Sequence, residues 1–588
     1  MKKILLYSLG LVGMLTVSSC ADDFLEQENT TNLNQETFFD SDDAVAAGTA
    51  TLYNYVWNDF NSKAYYGMGD GRANNITAQY SDYIYPYTNF TDGALSQGLS
   101  DAWNSLYSVV AQSNNVIVNI TEKSGAGVSD EAKARGIAEA RFMRGTAYWH
   151  IASLWGGGII YTNTAELVNS YANAVPNPRV DMVEFAIRDL EYAAANLPKT
   201  PAAAGRLTKY SAYGMLSRVY LHMAGLTTSG QYDGNNIATD FNRGTRNEYY
   251  LDLARKAAKK VIDESGAKLL DNYGDLFSPE LGKSNNNAES LFQLQWLTGA
   301  TDAIGWGCNQ AIQAFFGWST MVAETNWGGA TYCSWDLWKE FCQDPEDALC
   351  RRYYSVASKG NYYPDLNTKN GGYTYGETED VKDQGANIRK YVVGLYADNG
   401  YSQQQSSGIN TYMLRLAEVY LNYAEAILGN STSTSDAEAL TYFNKVRTRA
   451  GVPTKGSISY EDLRHERRVE LAFEGRYWYD LVCRGYYQQQ EVVNYLNSQY
   501  RNASYNVEGM SRNGTNYVVD PHGGYALSDK YEVNNPPSVS QATKSSLVIA
   551  IPNADQGKNP NLKPNADGSL NTVPYQFGER EVSVSDLF

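Results

Sequence analysis

Glu466 to Gly485 reads ERRVELAFEGRYWYDLVCRG. Charged and apolar residues alternate in it at helical spacing, and a second run, RLAEVYLNYAEA from Arg415 to Ala426, precedes it. Side chains three and four apart are neighbours on a helix, and oppositely charged pairs there contribute roughly a few tenths of a kcal/mol each. Arg467, Arg468, Glu470, Glu474, Arg476 and Asp480 are therefore expected to form helix-surface pairs. Arg415, Glu418 and Glu425 are expected to brace adjacent turns. The periodicity predicts helices over 412–428, 436–450 and 460–483, the second ended by Gly451 and Pro453.

Upstream the same spacing recurs. A first helix is expected over 43–57 with Asp42 or Asp43 as cap, and another from Asp101 through AWNSLYSVVAQSNNVIVNI. Ser129-Asp130-Glu131 opens the next, which stops at Gly156-Gly157-Gly158. Further helices are expected over 180–197, 208–224 and 251–265. They form antiparallel-compatible pairs, Trp/Leu/Tyr against Ala/Tyr, of the kind found in degenerate tetratricopeptide units. The fold class expected is mainly α: tetratricopeptide-like helix pairs forming a superhelical scaffold over about 101–265 and 412–484. Residues 61–100 and 270–410 lose this periodicity and gain Gly, Asn, Tyr and Trp, so they are read as a large loop-rich portion. Residues 485–588 read as a loop-rich tail, and 46–588 as one domain.

The first nineteen residues read as a targeting segment. Lys2 and Lys3 precede a mostly apolar stretch, Ile4 to Val17, too short to span a bilayer, and Val17-Ser18-Ser19 lead into Cys20. This pattern predicts a lipoprotein signal with lipidation at Cys20, followed by a tether over 20–45. Several acyl chains on one cysteine anchor a protein firmly where one chain does not. The formal charge of −17 becomes −19 once Lys2 and Lys3 are removed, which opposes nucleic-acid binding.

Five cysteines remain in the body, an odd number at wide spacing, which does not make a disulfide framework. Cys333, Cys342 and Cys350 lack a CxxC pair or nearby histidine, so no metal site is assigned, and free, mostly buried thiols are expected. No cofactor is expected, and no motif indicates calcium. His150, His222 and His465 fall on helices and His522 in a loop, without GxSxG, so no catalytic residue is assigned.

Eight segments occur in an order that resembles the SusD/RagB family of outer-membrane nutrient-binding lipoproteins. They are the lipobox at Cys20, AWNSLYSVVAQSNNVI from Ala102, AEARFMRGTAYWHIASLWGG from Ala138 and GRLTKYSAYGMLSRVYL from Gly205. The others are RLAEVYLNYAEA, FNKVRTRAGVP from Phe443, ERRVELAFEGRYWYDL and IPNADQGKNPNLKPN from Ile551. Two departures stand out: Cys483-Arg484 where an Arg-Trp-like pair is common, and Asp555-Gln556 in the tail motif. Ala21-Asp22-Asp23 resembles the surface-export signal of Bacteroidetes lipoproteins.

The resemblance implies a non-catalytic, cell-surface lipoprotein, anchored in the outer membrane, that binds a glycan on its loops and delivers it to a SusC-like TonB-dependent transporter barrel. Two segments have the composition such loops need. Tyr65 to Tyr87 offers Asp70, Arg72, Asn74 and Asn75 as polar forks with Tyr83 and Tyr85 as platforms. Trp296 to Trp338 offers Trp306, Asn309, Trp318, Trp327, Tyr332 and Trp335. Aromatic rings cover the C–H face of a sugar, and amides, carboxylates and guanidinium pair with its hydroxyls. Arg389-Lys390-Tyr391 is read as scaffold. Three other readings stay open: a peptide ligand on the same fold, a surface glycosidase with two carboxylates about 5–10 Å apart, and an adaptor working through its helices.

Overall fold

The computed structural model describes residues 38–78, 83–298, 308–317, 331–358, 361–375, 386–394, 398, 406–503, 505–507, 510–513, 516–519, 525–527, 540–566 and 568–588. The longer helices are α1 (Asp42–Ala50), α2 (Leu99–Lys123), α3 (Asp130–Trp155), α4 (Arg179–Asn196), α5 (Lys209–Leu226) and α6 (Glu248–Glu264). After the loop-rich middle come α7 (Leu416–Leu428), α8 (Ala437–Arg449), α9 (Tyr460–Glu470), α10 (Tyr477–Gly485) and α11 (Gln489–Asn497). From α2 to α8 each packs on the next, and α7 also packs on α9. This is the expected mainly α scaffold of stacked, tetratricopeptide-like helix pairs. Among the described residues no helix is long and apolar enough to cross a membrane.

Local chemistry sets the boundaries. The Ser129 hydroxyl accepts from the Ala132 N–H to open α3, and Gly156, left-handed at φ 75°, closes it. Thr208 and Ser211 form a reciprocal capping box on α5. The first helix is shorter than expected, because Asn54 leaves helical geometry (φ −147°, ψ −79°) and short 3₁₀ turns carry the chain to Trp57. Residues 412–415 are strand rather than helix: Thr411–Arg415 pairs antiparallel with Ser290–Leu294 before α7 begins. Helix α11 lies in the segment expected to be loop.

The run 460–483 is two helices, not one. Phe473 (φ 63°) and Gly475 (φ 63°) turn the chain between α9 and α10. The turn presses on a tight π-helical turn, Gly67–Gly71, within the segment read as loop. A Cβ on Gly69 would lie 2.7 Å from the Gly475 Cα, and one on Gly475 would lie 2.4 Å from the Tyr65 carbonyl oxygen. Only glycine permits this backbone-to-backbone approach.

The charged runs are buried, which corrects the expected helix-surface pairing. Arg415, 1% exposed, ends its strand among three carboxylates. Its guanidinium donates to Glu289 (2.8 Å), Glu470 (2.6 Å) and both oxygens of Glu474 (2.9 and 2.8 Å), and to the Glu470 carbonyl (2.7 Å). Arg449 also reaches Glu289 and Glu470, Lys390 reaches Glu474 (3.0 Å), and Arg351 and Arg447 share Glu466. Glu418 is held by Arg218 (2.6 Å) and Arg476 (3.4 Å), and Glu425 by Arg246 (2.6 Å). Arg415, Glu418 and Glu425 thus brace other elements and not one another. Burial pushes the Glu470 carboxyl up, but Arg449, Arg415 and Arg351 together hold it well below the usual range.

A small sheet caps this lattice. Its order is β1 (Ile76–Ala78), β3 (Thr331–Cys333), β5 (Ala386–Ile388) and β4 (Val356–Ser358), with neighbours antiparallel. The pair described above is β2 (Ser290–Leu294) and β6 (Thr411–Arg415).

Candidate ligand-binding surface

Four connections, 299–307, 318–330, 376–385 and 395–405, are rooted on one platform, and the first two carry Trp306, Trp318 and Trp327. The Leu297 N–H donates to the Cys308 carbonyl (2.7 Å), bringing together the ends that bound 299–307. Gln310 and Ser407 exchange backbone hydrogen bonds (2.8 and 3.1 Å), joining that root to the one after 395–405. The Gln313 side chain accepts from the Val393 N–H (3.0 Å) and donates to the Gly394 carbonyl (3.4 Å), tying in the root before 395–405. Thr331 donates to the Phe315 carbonyl across the two ends of 318–330. Asn387 donates to the Thr331 carbonyl (3.0 Å) and accepts from the Tyr375 hydroxyl, drawing in both ends of 376–385.

Aromatic rings seat the platform on the scaffold. Phe315 lies 5.2 Å from Tyr66 and 6.3 Å from Tyr83, and the Lys63 ammonium sits 5.6 Å from the Tyr83 ring. Tyr55 is 59% exposed between buried Tyr53 and Trp57. Its segment is clamped beside the platform by the Gln295 N–H donating to the Tyr53 carbonyl (2.8 Å) and the Asn58 amide donating to the Asn309 carbonyl (3.4 Å). The sequence reading missed Tyr55 and Phe315. The signal available for the first was the density of aromatic rings at 53, 55 and 57, which does not tell which of them is exposed.

The structure places the expected polar forks in the frame. Asp70, Asn74 and Asn75 are fully buried and Arg72 is 2% exposed. Asp70 accepts from the Gly475 N–H (2.6 Å), the Phe473 N–H (3.2 Å) and the Asn75 amide (2.7 Å), so it ties the α9–α10 turn to the Gly67–Gly71 turn. Burial raises its carboxyl to about 6 against those donors. Arg72 pairs with Asp92 and donates to the Ser546 carbonyl (2.7 Å), and Arg468 donates to Asn75 (2.9 Å). Asn74 donates to Asp336 (2.9 Å). A group spent on internal partners in a dry interior is not offered to a ligand, which corrects the expectation for Asp70, Asn74 and Asn75; Arg72 is buried as well, but with Asp92, Phe90 and Trp155 it lines a separate cavity of about 280 Å³.

Tyr332 is buried on β3, Asn309 is buried, and Trp335 is 8% exposed with its ring 5.5 Å from that of Tyr505. Tyr83 is half-buried and Tyr85 is 36% exposed, so both keep a face to solvent. Trp306, Trp318 and Trp327 lie outside the described residues, as does Cys20. Arg389, Lys390 and Tyr391 are buried, with Lys390 and Tyr391 deep in the frame. Cys308, Cys333 and Cys483 are buried and Cys342 and Cys350 half-buried, none of them in a disulfide, and Arg352 donates to the Cys342 sulfur (3.2 Å).

Among the described residues one cluster has metal-ligand composition. Ligand atoms of Asp344, His465 and Glu466 lie within 4.8 Å of one another. Arg447 donates to Asp344 (2.9 Å) and to Glu466 (2.7 Å), so a guanidinium already supplies the positive charge there. His465 lies between Glu340 (2.8 Å) and Asp344 (3.0 Å). Burial disfavours its imidazolium, yet hydrogen bonds to the two carboxylates raise it from 6.5 to about 9. A raised folded-state value means stabilisation that is complete below 6.5 and is lost as pH rises through about 9. The expected loss is on the order of 3 kcal/mol. Lys390, lowered by burial to about 8, acts in the opposite sense above that pH. Denaturant unfolding of wild type and His465→Gln across this window isolates the term: the difference between them should shrink toward high pH. A constant difference would exclude a charged His465.

Comparison with known proteins agrees along the chain. The SusD family model matches residues 315–567, and a second, described as "Starch-binding associating with outer membrane", matches residues 23–221. A SusD-like protein of Bacteroides ovatus is 35% identical over 96% of this chain and 97% of its own. A crystal structure solved with xylogluco-oligosaccharide is 34% identical, with TM-score 0.75, and the alignment covers 91% of this chain and 100% of that one. A SusD homolog from Bacteroides thetaiotaomicron, 20% identical with TM-score 0.65, shares the fold.

Proposed function

The chain belongs to the SusD family, and from that premise we propose that it is a surface lipoprotein that captures an oligosaccharide and passes it to a SusC-like TonB-dependent transporter. Membership places it among non-catalytic carbohydrate-binding proteins. Acylation at Cys20 anchors it in the outer membrane. The ligand lies over the platform at the roots of the connections, with Trp306, Trp318 and Trp327 of those connections and the partly exposed Tyr55, Tyr83 and Tyr85 as the rings that cover sugar faces.

The observation that carries this reading is the 34% identical structure solved with xylogluco-oligosaccharide, which aligns over its whole length. The xyloglucan class is therefore the first to test. Isothermal titration of the soluble form, beginning after Cys20, against xyloglucan oligosaccharides, other glycans and a peptide panel checks it. Saturable heat with a glycan and none with peptides is expected. Heat with peptides alone would replace the sugar by the peptide ligand.

A further inference from the structure

A second cleft, of about 480 Å³, opens beside the sheet and takes no part in the reading above. Its volume falls within the range of about 300–1,000 Å³ usual for small-molecule pockets. Arg389, which follows β5 directly, forms part of its wall and is only 3% exposed. Its guanidinium makes one ion pair, to Asp365 (2.6 Å). It lies 5.7 Å from the Tyr354 ring and 4.8 Å from that of Tyr363, while its Nε has no hydrogen-bond partner. That Nε is sealed from solvent, as are several others in the frame, so what the guanidinium can present to the cleft is its terminal NH groups. Elsewhere in this frame Arg415 and Arg351 each meet several carboxylate oxygens.

The other walls state what that donor faces. Half-buried Tyr353 and Tyr354 and the rings of Pro279 and Pro364 supply apolar faces. Asp275, Glu280, Asp365 and Asp398 supply acceptors. Those carboxylates already have internal partners. Asp365 pairs with Arg389 and Glu280 with Lys283 (2.9 Å), Asp398 accepts from the Asn367 and Thr368 N–H groups (2.9 and 2.6 Å), and Asp275 accepts from the Asn272 amide (3.3 Å). A cation would meet the Arg389 guanidinium in the wall, and an anion would meet four carboxylates around that one guanidinium. A neutral polyol meets neither obstacle. Vicinal hydroxyls take a hydrogen bond from a guanidinium and give one to a carboxylate, and phenol and proline rings cover the C–H face.

We infer that this cleft is a second carbohydrate site, holding one or two neutral sugar residues through Arg389, Asp365 and Asp275 with Tyr354 as platform. Asp398 of its wall lies within 395–405, but none of Arg389, Asp365, Asp275 and Tyr354 belongs to the aromatic connections. A protein that holds a polymer at two separated points gains avidity without any new contact.

Saturation-transfer NMR with the methyl glycosides of glucose, galactose, mannose and xylose tests it on the soluble full chain. Three variants are compared with wild type: Arg389→Gln, Asp275→Asn, and the combined alanine replacement of Trp306, Trp318 and Trp327, the first two also in the background of the third. Asp275 is half-buried with a weak internal partner, so its variant keeps the test valid if loss of Arg389 impairs folding. The expected result is transfer that persists in the tryptophan variant and, in that background where the first site does not contribute, falls about tenfold on adding Arg389→Gln and measurably on adding Asp275→Asn. Transfer abolished by the tryptophan variant, or unchanged by both cleft substitutions in that background, would overturn the second site. Oligosaccharide titration of the tryptophan variant reads the first site separately, so failure of one assignment leaves the other standing.

Discussion

Arg415→Ala is expected to cost about 3–5 kcal/mol of folding stability, enough to leave little native protein at physiological temperature. The side chain is 1% exposed and stands between β6, the α9–α10 turn and α8. Removing it leaves Glu474 with Lys390 alone, and leaves Glu289 sharing Arg449 with Glu470, all of them buried. Breaking a buried network costs far more than the net contribution of the intact one, because the abandoned charges keep their desolvation penalty. Arg415→Lys separates charge from geometry. Lysine restores a positive charge but not a planar fork reaching five oxygens, so an intermediate loss is expected. Guanidinium chloride unfolding, read by tryptophan fluorescence, measures both. A change below about 1 kcal/mol in Arg415→Ala would mean that the lattice relaxes around the gap, as an exposed pair does.

That lattice also shows where sequence reading stops. The ends of α3 were legible because Ser129 and Gly156 act on their own neighbours. The succession of helix pairs was legible because apolar spacing is local. Which way a charged stripe faces is not local: Glu470 meets Arg415 and Arg351 from far along the chain. A run of Arg and Glu at helical spacing looks the same whether it faces water or a buried lattice. The α9–α10 break was hidden for a related reason, since Phe473 takes a left-handed conformation that its residue type does not announce. Asp70 misled in the opposite direction. Beside glycines and asparagines it reads as a ligand fork, but the turn it closes belongs to a segment four hundred residues away. Aromatic composition identified the loop-rich portion, while burial sorted Trp335 and Tyr332 into the frame and Tyr55 onto the surface.

Burial also divides the expected effects of the tryptophans. An indole lying on a sugar removes roughly 100 Å² of apolar surface from water, which at about 25 cal/mol per Å² gives ~2.5 kcal/mol, or nearly two orders of magnitude in affinity. Single alanine replacements of Trp306, Trp318 and Trp327 are therefore expected to weaken oligosaccharide binding by about 10- to 100-fold wherever the ring touches the ligand, with thermal stability unchanged. Trp335→Ala is expected to do the reverse. Its ring packs against Tyr505 and under the Lys339 ammonium (5.4 Å), so truncation costs about 3–5 kcal/mol of stability while affinity holds in the protein that remains folded. Paired melting curves and titrations read the two effects on the same samples. If all three loop variants keep wild-type affinity, capture cannot rest on indole stacking, and the half-exposed tyrosines at 55, 83 and 85 become the next rings to remove.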